Sequence, residues 1–221
     1  MTENMNTDMN ERKAYKEFPL QIIVNGRAAL TIMTHAETSE EKESLLLGAL
    51  FTERVIASLD DIESVIITDT QASVVTKDPY TILLSRKTVL AGCGGASSFL
   101  DSGKLGTVQC GYAVSEEICK AAIANVPMSF WYSAGLFSAD GCLISSADDI
   151  TAQNAADRII GSALKAGVNP SETFAVLRGN CTAETMRKII IAKIPVLVLN
   201  GDVTLAALET ADEAGVRVIR G

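Results

Sequence analysis

The last third of the chain alternates regularly between predicted helices and short apolar strands, and this pattern constrains the fold more than any other feature. The segments in order are helix 151–165, strand 174–177, helix 182–192, strand 196–199, helix 203–214 and strand 216–219. The strands are continuous apolar runs, as expected where helices cover both faces of a parallel sheet. The pattern predicts an α/β domain over residues 112–221.

Glycine follows each of the three predicted strands, in the pairs Arg178-Gly179, Asn200-Gly201 and Arg220-Gly221. In open α/β sheets the carboxyl edge of the parallel strands is the usual ligand crevice. The same glycines also suit strand ends that bind nothing. The pattern alone leaves both interpretations open.

A hairpin is predicted near the N-terminus, because Asn25-Gly26 separates the β-rich runs Leu20–Val24 and Ala28–Met33. Both central residues tolerate the positive φ of a type I′ turn. A helix should follow from Thr38, which has Glu41 at the capping-box spacing, to about residue 57. The other predicted elements are strands 62–68, 72–76 and 81–84 in a small antiparallel meander, helix 115–125, and a hairpin of 133–137 with 142–145.

These elements predict four parts of the chain. They are a flexible arm at 1–16, an N-terminal α+β part at 17–90, a Gly/Cys loop at 91–111 and the α/β domain at 112–221.

Composition excludes several classes of protein. The 221 residues include 19 Lys+Arg and 27 Asp+Glu, a net charge of −8, which argues against binding a nucleic-acid backbone. No apolar run of about 18 residues lacks a charge or a proline, and the N-terminus has no signal-peptide pattern. We therefore expect a cytoplasmic protein without a membrane segment.

Scarce histidine and scattered cysteine restrict the chemistry further. His35 is the only histidine, and the five cysteines include no CxxC pair, so neither a metal site nor a disulfide framework is expected. The surroundings of His35 favour a loop residue over a catalytic base. Four cysteines, in apolar or helical surroundings, are interpreted as structural filler: Cys110, Cys119, Cys142 and Cys181.

The remaining cysteine, Cys93, lies in the run Gly92-Cys93-Gly94-Gly95. Flanking glycines leave the thiol unshielded and let backbone N–H groups converge on an anion, which favours a reactive thiolate. The alternative is a small buried residue in a tight turn. If cysteine does chemistry in this protein, it does so singly.

A second candidate group lies at the start of the 151–165 helix. Asn154 precedes Asp157 by three residues and Arg158 by four, so the three share one helix face. A helix cap followed by a solvated face explains most of this group. A ligand site at the helix N-terminus is the alternative, although Asp148 and Asp149 would oppose a phosphate there.

The order of motifs along residues 17–221 resembles the FdhD/NarQ family, the formate dehydrogenase accessory sulfurtransferases. The matching segments are Glu17-Phe18-Pro19-Leu20, Val24-Asn25-Gly26, Leu46-Leu47-Gly48-Ala49-Leu50, Gly92-Cys93-Gly94, Asp148-Asp149-Ile150, Asn154 to Gly161, Gly179, Glu184, Lys188, Thr204-Leu205-Ala206 and Arg220-Gly221. Each motif is weak alone, but their collinear order is specific.

The resemblance implies a cytidine-deaminase-like fold, a three-layer α/β/α sandwich with a smaller N-terminal β-containing part, usually as a homodimer. It also implies that persulfide sulfur passes from a cysteine desulfurase, through Cys93, to the molybdenum cofactor of a molybdenum-dependent formate dehydrogenase. The ligand would be molybdopterin guanine dinucleotide or a GDP-like molecule, held as a substrate and not as a tightly bound cofactor. The cofactor-binding residues implied are Gly92, Gly94, Gly95, Asn154, Asp157, Arg158, Gly179, Thr204, Arg220 and Gly221.

The chain departs from the family pattern at several site positions. Ala96 replaces the second loop cysteine, and Thr151-Ala152-Gln153 replaces a Gly-Arg-His run. Arg178-Gly179-Asn180 stands where the family has Ser-Gly-Arg, and Ser129–Tyr132 lacks the glycines and histidine of another motif. These departures support an alternative function, a nucleotide-, pterin- or partner-binding module that has lost sulfurtransferase activity.

Overall fold

Two mixed β-sheets, each packed against helices, organise the protein. The computed structural model describes residues 15–78 and 105–221, so the predicted strand 81–84 and the Gly92–Gly95 run lie outside the described residues. The elements are β1 (Phe18–Val24), β2 (Arg27–Thr34), α1 (Ser39–Thr52), β3 (Ile62–Ile67), β4 (Gln71–Thr76), α2 (Glu116–Asn125), β5 (Tyr132–Ser138), β6 (Leu143–Asp149), α3 (Ala152–Lys165), β7 (Thr173–Arg178), α4 (Ala183–Ile191), β8 (Val196–Asn200), α5 (Leu205–Ala214) and β9 (Arg217–Arg220).

The N-terminal sheet has the strand order β2-β1-β4-β3. Asn25 and Gly26 adopt φ values of 51° and 74°, which confirms the predicted hairpin turn. The predicted antiparallel pairing of strands 62–68 and 72–76 is confirmed by β3 and β4, and the third predicted strand of that meander lies outside the described residues. The other edge of β4 pairs with β1 in parallel, which was not predicted. The chain crosses over through α1 after the first hairpin, and this crossover brings the second hairpin alongside β1.

Helix α1 begins with the predicted capping box, in which Thr38 and Glu41 exchange hydrogen bonds. The helix ends at Thr52 and not near residue 57. Arg54 turns into the left-handed region at φ 56°, and the Val55 N–H then bonds back to the Leu50 carbonyl. This C-terminal turn stops the helix although the apolar pattern continues.

The C-terminal sheet has the order β6-β5-β7-β8-β9, with β7, β8 and β9 parallel to one another and β5 antiparallel to its two neighbours, β6 and β7. Helices α3, α4 and α5 cover one face and α2 covers the other. The predicted α/β/α sandwich is confirmed, and its elements begin and end within a few residues of the predicted positions. Within the described ranges, no helix is both long and apolar enough to cross a membrane.

Helices α1 and α3 join the two sheets by crossing at a pair of glycines. A Cβ on Gly48 would lie 1.8 Å from the Asp157 carbonyl oxygen, and a Cβ on Gly161 would lie 1.9 Å from that of Ser44. Side chains cannot fit at this distance. The N-terminal sheet, α1, α3 and the C-terminal sheet therefore stack in that order.

Candidate functional site

The carboxyl ends of β7, β8 and β9 meet the start of β5 and the end of β6 at one edge of the C-terminal sheet. This edge is called the carboxyl edge below. Four of the predicted binding residues lie along it: Gly179, Thr204, Arg220 and Gly221. The structure therefore brings these four together at the place where open α/β sheets bind ligands.

The glycines of the carboxyl edge allow the strand ends to approach one another closely. Gly179 adopts φ 126°, and a Cβ built on it would lie 2.5 Å from the Tyr132 ring. Gly201 adopts φ 157°, and its Cβ would lie 2.2 Å from the Gly179 carbonyl oxygen. Packing of the strand ends thus requires both glycines, so they do not by themselves indicate a ligand.

Three helices also begin at the carboxyl edge. Thr151 accepts the Asn154 N–H at the start of α3, and Thr204 accepts the Ala207 N–H at the start of α5. Thr182, at the start of α4, makes no such capping hydrogen bond. The free N–H groups and aligned peptide dipoles of helix N-termini give this edge a favourable potential for anions.

A row of polar residues crosses the carboxyl edge on the face that α2 covers. Ser133 pairs with Arg178 across β5 and β7, and Arg178 pairs with Asn200 across β7 and β8. The Arg178 Nη1 atom donates to the Val126 carbonyl oxygen at 2.7 Å. Ser133 and Arg178 are not among the predicted site residues. Both lie at ends of predicted strands that share one edge, and this shared position was the signal available.

The second predicted group, at the start of α3, is buried. Asn154, Asp157 and Arg158 are only 6%, 2% and 5% exposed, so the predicted solvated face is wrong. The reason is that α1 lies directly on this face of α3. The polar atoms of the three side chains bind protein groups across the contact, and their predicted role in cofactor binding stays a prediction.

One cluster of this contact centres on the fully buried carboxylate of Asp149. It accepts the Thr34 hydroxyl at 2.6 Å and the Asn154 side-chain amide at 2.9 Å. Arg158 lies 3.5 Å from Asp149 and donates to Glu41 of α1 at 2.6 Å. The cluster ties the end of β2 and the start of α1 to the start of α3.

A second cluster lies at the other end of α1, where the helix meets α3 and α4. Asp157 accepts the Thr52 hydroxyl at 2.7 Å and the Lys188 ammonium at 2.8 Å. Lys188 also lies 3.0 Å from Glu53, which pairs with Arg187 at 2.5 Å. Helices α1, α3 and α4 are thereby joined by alternating positive and negative groups with little exposure.

Burial raises the pKa of Glu53, but the attraction of Lys188 and Arg187 is stronger and brings the pKa below its ordinary value of 4.5. Glu53 therefore stabilises the fold fully above pH 4.5, and this contribution is lost as the pH falls through the folded-state pKa.

We expect the variant Glu53→Gln to be less stable than the natural protein by about 1–2 kcal/mol at pH 7. This loss lies between those found when exposed and buried ion pairs are broken. Urea unfolding between pH 7 and pH 3 should show this difference constant above pH 4.5 and shrinking below it. A difference that grows on acidification would contradict the assignment.

His35 lies in the loop after β2, as predicted, with its ring half-buried. The ring packs against Phe130 in a tilted arrangement, with centroids 3.9 Å apart, and its Nδ1 lies 2.9 Å from the Lys16 carbonyl oxygen. Tyr15 packs against the same Phe130 and against Trp131, which is 59% exposed just before β5. His35 is thus part of an aromatic group beside the carboxyl edge.

Of the predicted filler cysteines, two are buried and two are not. Burial raises the pKa of Cys119, and it raises the pKa of Cys181 to about 12. Cys110 and Cys142 are exposed, so the filler interpretation is wrong for them. Cys110 lies in an extended loop and Cys142 follows the Asp140-Gly141 turn, where no apolar layer covers them.

Within residues 15–78 and 105–221, neither a metal cluster nor the groove found elsewhere on the surface adds to the predicted site. Among the described residues, no group of three or more His, Cys, Asp or Glu side chains is arranged to hold a metal ion. A groove of about 400 Å³ opens between the region after α1 and the C-terminal ends of α3 and α4, and its lining includes Asp60 and Lys193. It contains none of the predicted binding residues within the described part of the chain.

Comparison with known proteins gives a consistent result. A model of the FdhD/NarQ family matches residues 15–220. The sulfur carrier protein FdhD of Wolinella succinogenes is 25% identical, with 92% of this chain and 75% of that protein aligned. The sulfur carrier protein FdhD of Sulfolobus acidocaldarius is 28% identical, with 92% of this chain and 83% of that protein aligned.

The fold is also found in a crystal structure from Desulfotalea psychrophila, described as a formate dehydrogenase accessory protein. It superposes with a TM-score of 0.71 at 17% identity, covering 93% of this chain and 81% of that one. The family model covers nearly the whole length of the chain, and the architecture agrees with it. The chain therefore belongs to the FdhD/NarQ family.

Proposed function

We propose that this protein is a sulfur carrier that accepts persulfide sulfur at Cys93 and passes it to a molybdopterin-type cofactor for formate dehydrogenase. The observation that carries the proposal is the family match over residues 15–220, together with a Gly-Cys-Gly run at Cys93 that resembles the family's cysteine loop. The relatives named sulfur carrier protein FdhD support the same activity.

The loading step needs one thiolate. The Cys93 thiolate attacks the outer sulfur of a donor persulfide, the donor's S–S bond breaks, and the donor thiolate leaves. Cys93 then carries the persulfide, and no net oxidation or reduction has occurred. Delivery to a metal cofactor consumes two electrons, because the sulfane sulfur becomes sulfide, so a reductant such as a thiol takes part in that step. A cysteine desulfurase supplies a donor persulfide of the required kind.

The carboxyl edge is the acceptor site in this proposal. Gly179, Thr204, Arg220 and Gly221 lie along it, and the helix N-termini there suit the phosphates of molybdopterin guanine dinucleotide. The acceptor is a substrate in this scheme. It is held while sulfur is transferred and then released to the formate dehydrogenase.

Sulfur loading can be tested by incubating the protein with a cysteine desulfurase and cysteine and then measuring the intact mass. We expect the mass of one added sulfur atom on the natural protein and none on the Cys93→Ser variant. Cys110→Ser and Cys142→Ser are matched controls, because both thiols are exposed and should not be needed. Unchanged loading of Cys93→Ser would overturn the assignment of Cys93.

Sulfur loading and GDP binding together separate the proposal from its alternative, a binding module without sulfurtransferase activity. Calorimetry with GDP shows whether the crevice binds a nucleotide, independently of sulfur loading. Binding of GDP without loading of the natural protein would favour the module. Loading at Cys93 together with GDP binding supports the carrier.

A further inference from the structure

Two buried polar atoms at the carboxyl edge have no hydrogen-bond partner among the described residues. They are the Ser133 Oγ atom and the Arg178 Nε atom. Ser133 is fully buried, and its residue lies directly opposite Arg178 in the β5–β7 pair. Most buried polar atoms in native proteins are paired, and unpaired ones are costly, so two in adjacent positions call for an explanation.

Among residues 15–78 and 105–221, no carboxylate forms an ion pair with Arg178 either. Two buried cations of the described residues have a carboxylate within 4 Å, Arg158 with Glu41 and Lys188 with Asp157, and a third, Lys42, lies over the Phe18 ring. Within the described part of the chain no such pair is formed by Arg178, whose Nη1 atom donates only to the Val126 carbonyl oxygen. The Nε–Nη2 side of the guanidinium is the pair of donors that binds planar or tetrahedral oxyanions with two parallel hydrogen bonds.

An exposed aromatic residue lies next to Ser133 and Arg178, along the chain and across the strand pair. Trp131 precedes Ser133 by two residues and is 59% exposed. Its carbonyl oxygen would lie 3.3 Å from a Cβ on Gly179, the residue that follows Arg178. An indole half-open to solvent offers a stacking surface for a planar heterocycle.

We propose that Arg178 and Ser133 bind a phosphate group of a nucleotide-type ligand at the carboxyl edge. The Nε and Nη2 atoms of Arg178 donate to two phosphate oxygens, and the Ser133 hydroxyl donates to one of them. Trp131 stacks on the ring of the same ligand. The inference rests on the ligand crevice of the proposed function and assigns residues that lie outside the binding set expected from the family resemblance.

Binding requires a local movement. The Ser133 Oγ and Arg178 Nε atoms are closed to solvent, so a phosphate reaches them only when a neighbouring segment shifts. Residues 126–131 are adjacent, since the Val126 carbonyl holds Arg178, and this segment carries the exposed side chains of Met128 and Trp131. A shift of these residues opens the guanidinium and presents the indole to the ligand.

The test is calorimetry of the full chain with GDP, guanosine and inorganic phosphate. We expect GDP to bind more tightly than guanosine, and inorganic phosphate to compete with GDP. Arg178→Gln should weaken GDP binding by between about tenfold and hundredfold, as for lost hydrogen bonds to a charged group, and should leave guanosine binding unchanged. Arg178→Lys keeps the charge but lacks the paired donors, so we expect a similar loss. Ser133→Ala should weaken GDP binding by about fivefold.

Arg217→Gln is the matched control. It also removes one arginine charge, but Arg217 lies at the start of β9, away from the carboxyl edge, so GDP binding should be unchanged. Urea unfolding of each variant verifies that it is folded. If Arg178→Gln does not fold, the binding measurement on Arg178→Lys tests the inference in its place. Equal GDP affinity of the natural protein and both Arg178 variants would overturn the inference, as would failure of the natural protein to bind GDP.

Sulfur loading distinguishes this inference from the proposed function. Loading is measured on the natural protein, by intact mass after incubation with a cysteine desulfurase and cysteine, whereas GDP binding is measured on the natural protein and on the Arg178 variants. If the natural protein does not load sulfur but binds GDP through Arg178, the carrier proposal fails and this inference stands. If it loads sulfur but Arg178 has no effect on GDP binding, the inference fails and the carrier proposal stands.

Discussion

Replacing Gly161 with alanine is expected to lower the free energy of unfolding by about 3 kcal/mol, the upper part of the range for overpacked contacts. The new Cβ would lie 1.9 Å from the Ser44 carbonyl oxygen and 2.8 Å from the Gly48 backbone nitrogen. Both obstacles are backbone atoms, so no side chain can move aside, and α1 must separate from α3. Urea unfolding at pH 7 measures the loss.

Helix propensity alone predicts the opposite sign, since alanine is favoured over glycine inside a helix by about 1 kcal/mol. Gly48→Ala should be destabilising for the same steric reason, and the double variant should lose less than the sum, because one separation of the helices relieves both clashes. Gly111→Ala is the control: a Cβ there meets nothing within 4 Å, and the change should stay within about 0.5 kcal/mol. A stable Gly161→Ala variant would show that the helices are not held at this distance.

Local patterns in the sequence were sufficient to place most elements. The Asn25-Gly26 turn, the Thr38 capping box and the alternation after residue 150 are decided by neighbours a few residues apart. The end of α1 was mispredicted because the apolar pattern runs past Thr52, whereas a left-handed residue at Arg54 ends the helix. Short-range backbone preferences therefore predict which elements form, but they do not predict every residue at which an element begins or ends.

The contacts between elements could not be predicted from local sequence patterns. Asp157 has its partners at Thr52 and Lys188, which are 105 and 31 residues away, and Arg158 has Glu41 117 residues away. Charged residues with such distant partners look like an exposed face in the sequence, so burial of the α1–α3 contact was missed. The Ser133–Arg178 pair was missed for the same reason, because it is created by strand pairing across 45 positions of the chain.

Replacing Lys188 with methionine should be the most damaging change among the charged residues. Burial opposes the charge of Lys188, but the attraction of Asp157 and Glu53 is stronger and raises its pKa above the ordinary value of 10.5, so the side chain is charged at pH 7. Burial raises the pKa of Asp157 above its ordinary value of 3.8, and Lys188 opposes this rise by stabilising the carboxylate. Methionine keeps most of the volume and leaves the Asp157 carboxyl group buried without a cation. We expect a loss of about 3–5 kcal/mol in urea unfolding, as found when one member of a buried pair is removed.

The double variant Asp157→Leu with Lys188→Met should recover part of this loss, because the uncompensated charge is removed together with its partner. The single and double variants with Asp157→Leu form a cycle that measures the coupling between the two groups. Lys165→Met is the matched control: Lys165 also pairs across the α1–α3 contact, with Glu43, but both side chains are about one-third exposed. We expect that change to cost less than about 1 kcal/mol. Equal losses for Lys165→Met and Lys188→Met would mean that burial of Asp157 is not what makes its partner necessary.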